Sequence, residues 1–171
     1  EKSLFSYKGL NLISIASHDE DHFKQIILSI KHKIFNIIVE KPLCMDEREL
    51  KILTKLVNKN AKIKIISNLV LRTNLLFTKI KKIISPNNII YAEFDYIWGR
   101  LNKLYGWRAK TKKYSLILGA AIHMIDLALF FIGRKPKSVT AFGNNIGVNK
   151  KKFNKESFIT LNLEFANKMI V

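Results

Sequence analysis

The hydrophobic positions of this chain follow a strand period and then a helix period, and the first third repeats that change. Leu12-Ile13-Ser14-Ile15-Ala16-Ser17 is a short apolar run of the kind a buried strand makes. Phe23, Ile26, Ile27 and Ile30 then recur at helical spacing, which predicts an amphipathic helix. Ser17 and Glu20 have capping-box spacing, and the acidic run 19–21 suits the positive end of that helix. A second β-branched run, Phe35-Asn36-Ile37-Ile38-Val39, predicts a second strand. Asp46, with Glu49 three positions on, caps a second helix whose inward residues are read as Leu50, Leu53 and Val57. A third strand is expected over 63–66. Strand, helix, strand, helix, strand with short connections argues for a parallel sheet covered by helices.

The pattern changes after residue 68. From 89 to 98, Ala92, Phe94, Tyr96 and Trp98 alternate with Tyr91, Glu93 and Asp95, which predicts a strand opening a second sheet. A loop from 99 to 113 follows. Leu116 to Ile132 is almost wholly apolar but shorter than the roughly 20 residues a membrane span needs. It also contains His123 and Asp126, and a charge near mid-bilayer costs at least about 3 kcal/mol. A buried helix is the better reading, ended by Gly133 as C-cap with Arg134 and Pro136 beyond it. Strands are expected over 138–142 and over 158–165, where Ile159, Leu161, Leu163 and Phe165 share one face.

A hydrophobic content of 48% in 171 residues excludes a disordered chain. Cys44 is alone, so no intramolecular disulfide exists, which fits a reducing cytoplasm. Its plain reading is a small buried residue beside the proline turn. The net charge of +17 invites a nucleic-acid partner. The lysines, however, fall in different elements, and no helix-turn-helix, zinc-finger or RNA-binding signature accompanies them. The bias toward Lys, Ile and Asn is also what an AT-rich genome would leave. A Lys-rich surface is compatible with an anionic substrate.

Two places carry candidate chemistry. Glu40-Lys41-Pro42 ends the second apolar run, and in open parallel sheets ligands bind beyond the carboxyl ends of strands. A Lys there can face a substrate; the plainer alternative is a charged surface turn. His123 and Asp126 lie three apart, on neighbouring parts of one helical face; the plainer alternative is a hydrogen-bonded core histidine. In the loop, the rings and guanidinium of Tyr105-Gly106-Trp107-Arg108 suit stacking on a sugar and holding an anion. A loop pinned by a buried Trp explains the same residues equally well.

Taken in order, these segments resemble one family. The run from Ile15 to His22 resembles the strand-end "IATPNxxH" of the glucose-fructose oxidoreductase / inositol dehydrogenase / MocA family. Val39 to Leu43 resembles its "xEKPL", Asn68 and Arg72 its "NxxxR", and Gly119 to Asp126 its segment ending "GxHxxD". The resemblance covers nearly the whole chain. It implies an α/β architecture: residues 1–68 as the second half of a Rossmann-type parallel-sheet domain, and 69–171 as an incomplete α+β substrate domain on a mostly antiparallel sheet. It implies NAD or NADP as cofactor, no metal, and oxidation or reduction of a sugar, cyclitol or sugar-nucleotide hydroxyl. Ser17, His18, Asp19, His22, Glu40 and Lys41 would then contact the nicotinamide half. Lys41 would also meet the substrate oxygen, and His123 would be the general base, a task suited to an imidazole. Arg72, Trp107, Arg108 and Asp126 are the substrate-side candidates, with Arg72 bonding either the substrate or the domain junction and Asp126 in a structural part, orienting His123 or capping a neighbour. A homo-oligomer without membrane contact is expected of the full-length protein.

Two departures from the family pattern matter. Many members have Asp four positions before the His, where this chain has Gly119. That leaves open a subgroup working with Lys and His alone, an acid supplied from elsewhere, or a catalytically weak protein; the rival functions are a noncatalytic relative that binds a sugar or partner and, on charge grounds, a basic nucleic-acid-binding module. The Gly-rich GxGxxG and the acidic residue about 20 positions beyond it are also not in the chain. The chain is therefore read as an internal piece of a longer protein, inactive by itself.

Overall fold

The computed structural model describes residues 4, 7, 9–166 and 168–171. The chain forms two compact units, Glu1–Asn68 and Leu69–Val171.

In the first unit, β1 (Leu12–Ile15), β2 (Asn36–Val39) and β3 (Lys64–Ser67) form a parallel sheet in that order. Leu12 pairs with Asn36 and Asn36 with Lys64, so the three strands end level with one another. The helices are α1 (His22–Lys31) and α2 (Glu47–Lys59). Ile15, Ile37 and Val39 from the sheet, Ile26 from α1 and Leu53 from α2 make the buried core. Each such side chain contributes about 1.5–3 kcal/mol by leaving water. The cap of α2 is reciprocal: Asp46 accepts from the Glu49 N–H at 2.9 Å, and Glu49 accepts from the Met45 N–H at 2.8 Å.

Two expectations fail locally. Leu50 is 46% exposed, because α2 turns Leu53 to the core and leaves Leu50 outside. Ser17 and Glu20 form no capping box. A 3-10 turn, Asp19–Asp21, precedes α1, and the Ser17 hydroxyl donates instead to the Gln25 carboxamide oxygen at 2.8 Å.

The second unit contains α3 (Leu75–Ile83), the short α4 (Trp107–Lys110) and the long apolar segment near 116–132. That segment is helical but not uniform: a π-helical turn, Ile117–Ala121, runs into α5 (Ile122–Ile132). Gly133 ends α5 at φ 70°, a left-handed conformation that glycine adopts without a Cβ penalty, and its N–H reaches Leu129 O at 2.8 Å. No helix among the described residues is long and apolar enough to cross a membrane.

β4 (Ser138–Asn144) and β5 (Phe158–Glu164) pair antiparallel, Ser138 opposite Glu164. Leu163, Phe165, Ile132 and Met169 form a core beside them. The segment 89–98 keeps the expected alternation in part: Ala92, Phe94 and Trp98 are partly covered and Glu93 and Asp95 exposed, but Tyr96, expected on the covered side, is 47% exposed. It is not a strand: one bridge, Tyr91 to Ile170, stands in place of a ladder, so most of its backbone runs extended outside any sheet.

Candidate active site

One set of candidate residues lies at the carboxyl ends of β1 and β2, where a parallel sheet opens toward ligands. β1 delivers Ser17, His18 and Asp19, the first two exposed and the third half-buried. β2 delivers Glu40 and Lys41, both half-buried. Glu40 is fixed on two sides. Its N–H bonds Ile15 O at 2.8 Å, and its carboxylate accepts from the Asn68 carboxamide at 2.6 Å. Asn68 is itself held by a bond from its N–H to Val39 O at 2.7 Å. Lys41 is joined to Pro42 by a cis peptide bond.

His22 departs from its expected role as a cofactor contact. Its ring is 0% exposed. Nδ1 lies 2.7 Å from Pro42 O and Nε2 lies 3.2 Å from Ser17 O. Carbonyl oxygens only accept, so each contact is a hydrogen bond when that ring nitrogen carries the proton. The imidazole lies between the backbone carbonyls of the two strand-end turns. Nearby, burial and then the charges of Glu49 and Asp46 push the Cys44 thiol pKa up, which keeps it a thiol and a poor nucleophile.

A separate set of candidate residues belongs to the second unit. His123 sits in the first turn of α5, half-buried, with its ring stacked on Tyr96 at 6.2 Å and 22°. Asp126, expected to orient His123 or cap a neighbour, is 7% exposed. It forms a bidentate pair with Arg72, Nε at 2.8 Å and Nη2 at 2.6 Å. That bond raises the Arg72 pKa further, and the guanidinium also lies 5.6 Å from the Phe130 ring. The two residues read as separate substrate contacts therefore satisfy each other, tying the segment after residue 68 to α5.

Gly119 has a physical reason to be glycine. A Cβ built there would stand 2.7 Å from Tyr114 Cζ and 2.8 Å from Cε2, with the phenol oxygen also in contact. Tyr114 is 3% exposed and packs edge-on to Trp107 at 6.0 Å and to Phe153 at 6.2 Å, so the ring has little room to retreat. Gly119→Asp, which would restore the carboxylate usual in the resembled family, is expected to destabilise the protein by about 1–3 kcal/mol through overpacking. Urea unfolding of Gly119→Asp and of Gly119→Asp/Tyr114→Ala checks this; the clash account fails if the second change brings no recovery.

Trp107 and Arg108 lie at the start of α4, and Arg108 is clad in aromatic rings. Its guanidinium carbon is 4.4 Å from the Trp107 ring and 5.2 Å from Trp98. Lys155 donates to Arg108 O at 3.4 Å and to Thr111 O, and burial lowers its pKa. Sequence reasoning did not single out Tyr96, Tyr114 or Lys155. The alternation from 89 to 98 groups Tyr96 with the covered residues, but it is 47% exposed.

Two family models match the chain: "Oxidoreductase family, NAD-binding Rossmann fold" over residues 2–68 and "GFO/IDH/MocA C-terminal domain" over residues 86–171. Among solved structures, myo-inositol 2-dehydrogenase from Lactobacillus plantarum superposes with TM-score 0.84 at 20% identity, covering 99% of this chain and 51% of that one. Scyllo-inositol dehydrogenase from Lactobacillus casei, solved with NAD(H) and scyllo-inositol, gives TM-score 0.77 at 16% identity over 98% and 51%. UDP-N-acetylglucosamine 3-dehydrogenase from Acidithiobacillus ferrooxidans gives 0.71 at 17% over 99% and 49%. At these identities the likeness speaks to the fold. The chain spans about half the length of each of these structures. No curated protein matches the sequence.

Proposed function

Because the chain belongs to the GFO/IDH/MocA oxidoreductase family, its first 68 residues within an NAD-binding Rossmann fold, we propose that the full-length protein is a nicotinamide-dependent oxidoreductase acting on a hydroxyl carbon of a sugar, cyclitol or sugar nucleotide. The observation that carries the reading is the pair of level strand ends. They present Ser17, His18 and Asp19 beside Glu40 and Lys41 at the edge where a parallel sheet takes its ligand.

These groups suit the nicotinamide end of a dinucleotide. Hydroxyl, imidazole and carboxylate side chains offer polar partners to a ribose and a carboxamide, and the Lys41 ammonium offers three further donors. When bound, the cofactor supplies the hydride acceptor or donor. In oxidation, His123 takes the proton of the substrate hydroxyl. Lys41 donates a hydrogen bond to that oxygen and steadies its developing negative charge. His22 and Asn68 hold the backbone and carboxylate around Lys41, so its position is set before substrate arrives. Gly119 brings no carboxylate to α5, so the proton path rests on His123.

The test is turnover by the protein at its full encoded length, with NAD and NADP offered in turn against inositols, free sugars and sugar nucleotides. Formation of the reduced cofactor with at least one substrate is expected. Absence of both cofactor binding and turnover would favour the rival that Gly119 supports, a family relative that binds a sugar or partner protein without chemistry.

A further inference from the structure

Resting on the oxidoreductase reading above, we propose that the substrate carries a phosphate ester, as in a sugar phosphate or a sugar nucleotide, and that Arg108 holds this phosphate on a cationic and aromatic surface of the second unit.

The charge of the chain is uneven in an informative way. Residues 1–68 contain 12 Lys and Arg against 8 Asp and Glu; residues 69–171 contain 18 against 5. Basic residues are about equally dense in both, as a compositional bias would leave them. What differs is the loss of acids, which a bias acting along the whole chain would not confine to one part. Between residues 96 and 155 the one acid is Asp126, which is paired with Arg72. The segments 100–113 and 149–155 together carry ten Lys and Arg and no carboxylate.

These two segments are joined. The Asn149 N–H donates to the Tyr105 hydroxyl at 3.1 Å, Lys152 lies 5.6 Å from the Tyr105 ring, and Phe153 packs on Tyr114 at 6.2 Å. Phe153, Leu104 and Tyr114 are buried beneath the surface. Holding so many like charges together costs repulsion, which an anionic ligand would relieve.

Arg108 has the geometry to read a phosphate. Stacking on Trp107 at 4.4 Å uses the face of the guanidinium and leaves the N–H groups in its plane for hydrogen bonding. One of them approaches Lys103 O at 3.5 Å, which steers the group. A guanidinium held flat in this way loses little freedom on forming a forked pair with two phosphate oxygens. Lys155, partly desolvated under the Arg108 backbone, adds a fixed positive field. A neutral cyclitol uses none of this.

The experiment titrates the full-length protein at fixed ionic strength with UDP, glucose 6-phosphate and scyllo-inositol, with and without saturating NADH. NADH fills any phosphate site of the cofactor. At least one phosphate compound is expected to bind roughly tenfold or more tighter than scyllo-inositol, and UDP against glucose 6-phosphate tells which source the site prefers. Arg108→Gln is expected to weaken that binding by roughly 10- to 100-fold, the usual weight of a charge-assisted bond. Its NADH affinity should not change. Lys152→Gln, on an exposed side chain, gives a milder loss and serves if Arg108→Gln does not fold. Equal affinity for all three compounds, or phosphate binding indifferent to both variants, overturns the proposal. So does polynucleotide binding that falls steeply with salt while neither small phosphate binds. A protein that takes NADH and oxidises scyllo-inositol but ignores both phosphates keeps the oxidoreductase reading and loses this one. Phosphate binding through Arg108 without any nicotinamide binding does the reverse.

Discussion

Replacing Lys41 by Met in the full-length protein is expected to lower kcat by about 10²–10³-fold, the cost of removing one charge-stabilising donor from a preorganised site. Met keeps the length of the side chain and removes the ammonium, so packing around the turn is preserved. The effect should fall mainly on kcat, because an interaction that strengthens as the oxygen gains charge contributes little to ground-state binding. NADH affinity should hold within a few-fold. Lys41→Arg is expected to be nearly as poor, since a planar fork does not replace a compact ammonium. Steady-state kinetics with a fixed cofactor concentration would decide it, and turnover near the unsubstituted level in Lys41→Met removes Lys41 from the mechanism. The structural reason to expect a large effect is how much holds this turn. His22 reaches Pro42 O at 2.7 Å from a fully buried position, and Asn68 reaches Glu40 at 2.6 Å. A turn held from both flanks keeps its central side chain from wandering.

What was legible in the sequence were features with a local period. The three strands of the first sheet and the faces of α1 follow from apolar runs and helical spacing, and Leu53 and Ile26 fall in the core as those patterns require. The cap at Asp46 and the stop at Gly133 follow from rules about two or three residues. Features set by distant pairs were not legible. Arg72 and Asp126 are 54 residues apart, and nothing local to either says that they meet, so each was read as available to a substrate. His22 carries a motif position, but its burial depends on Pro42, 20 residues on. Gly119 looked like a loss when compared with a family pattern. The Tyr114 ring against it shows a space already filled. Alternation from 89 to 98 was real, yet alternation reports which side is covered and does not supply a neighbouring strand. The amphipathic reading of α2 overreached at Leu50 for a related reason: a period fixes a stripe, and the width of the stripe that is covered depends on what packs there.

Replacing His123 by Asn is expected to cost about 10²–10⁴-fold in kcat, the range that a positioned general base contributes. Asn fits the space of the ring's proximal half and keeps a hydrogen-bonding group, so loss of folding is not the expected outcome. The position is well supported: His123 starts α5 just after the π-helical turn, a backbone irregularity that recurs at functional sites, and its ring is steadied by Tyr96 at 6.2 Å. The diagnostic is the shape of the pH profile. A base must be unprotonated to accept the hydroxyl proton, so oxidation by the unsubstituted protein should fall as pH drops through the titration of that base. In His123→Asn the low-pH limb should vanish, leaving a small rate that rises only with hydroxide. Tyr96→Leu provides the contrast. It removes the stacking partner but not the base, so it should lower kcat by less and keep the limb. If His123→Asn lowers kcat yet retains the limb, the proton goes to another group and His123 is a structural member of α5. If it leaves kcat unchanged while Lys41→Met abolishes turnover, the chemistry rests on the strand-end turn of the first unit alone.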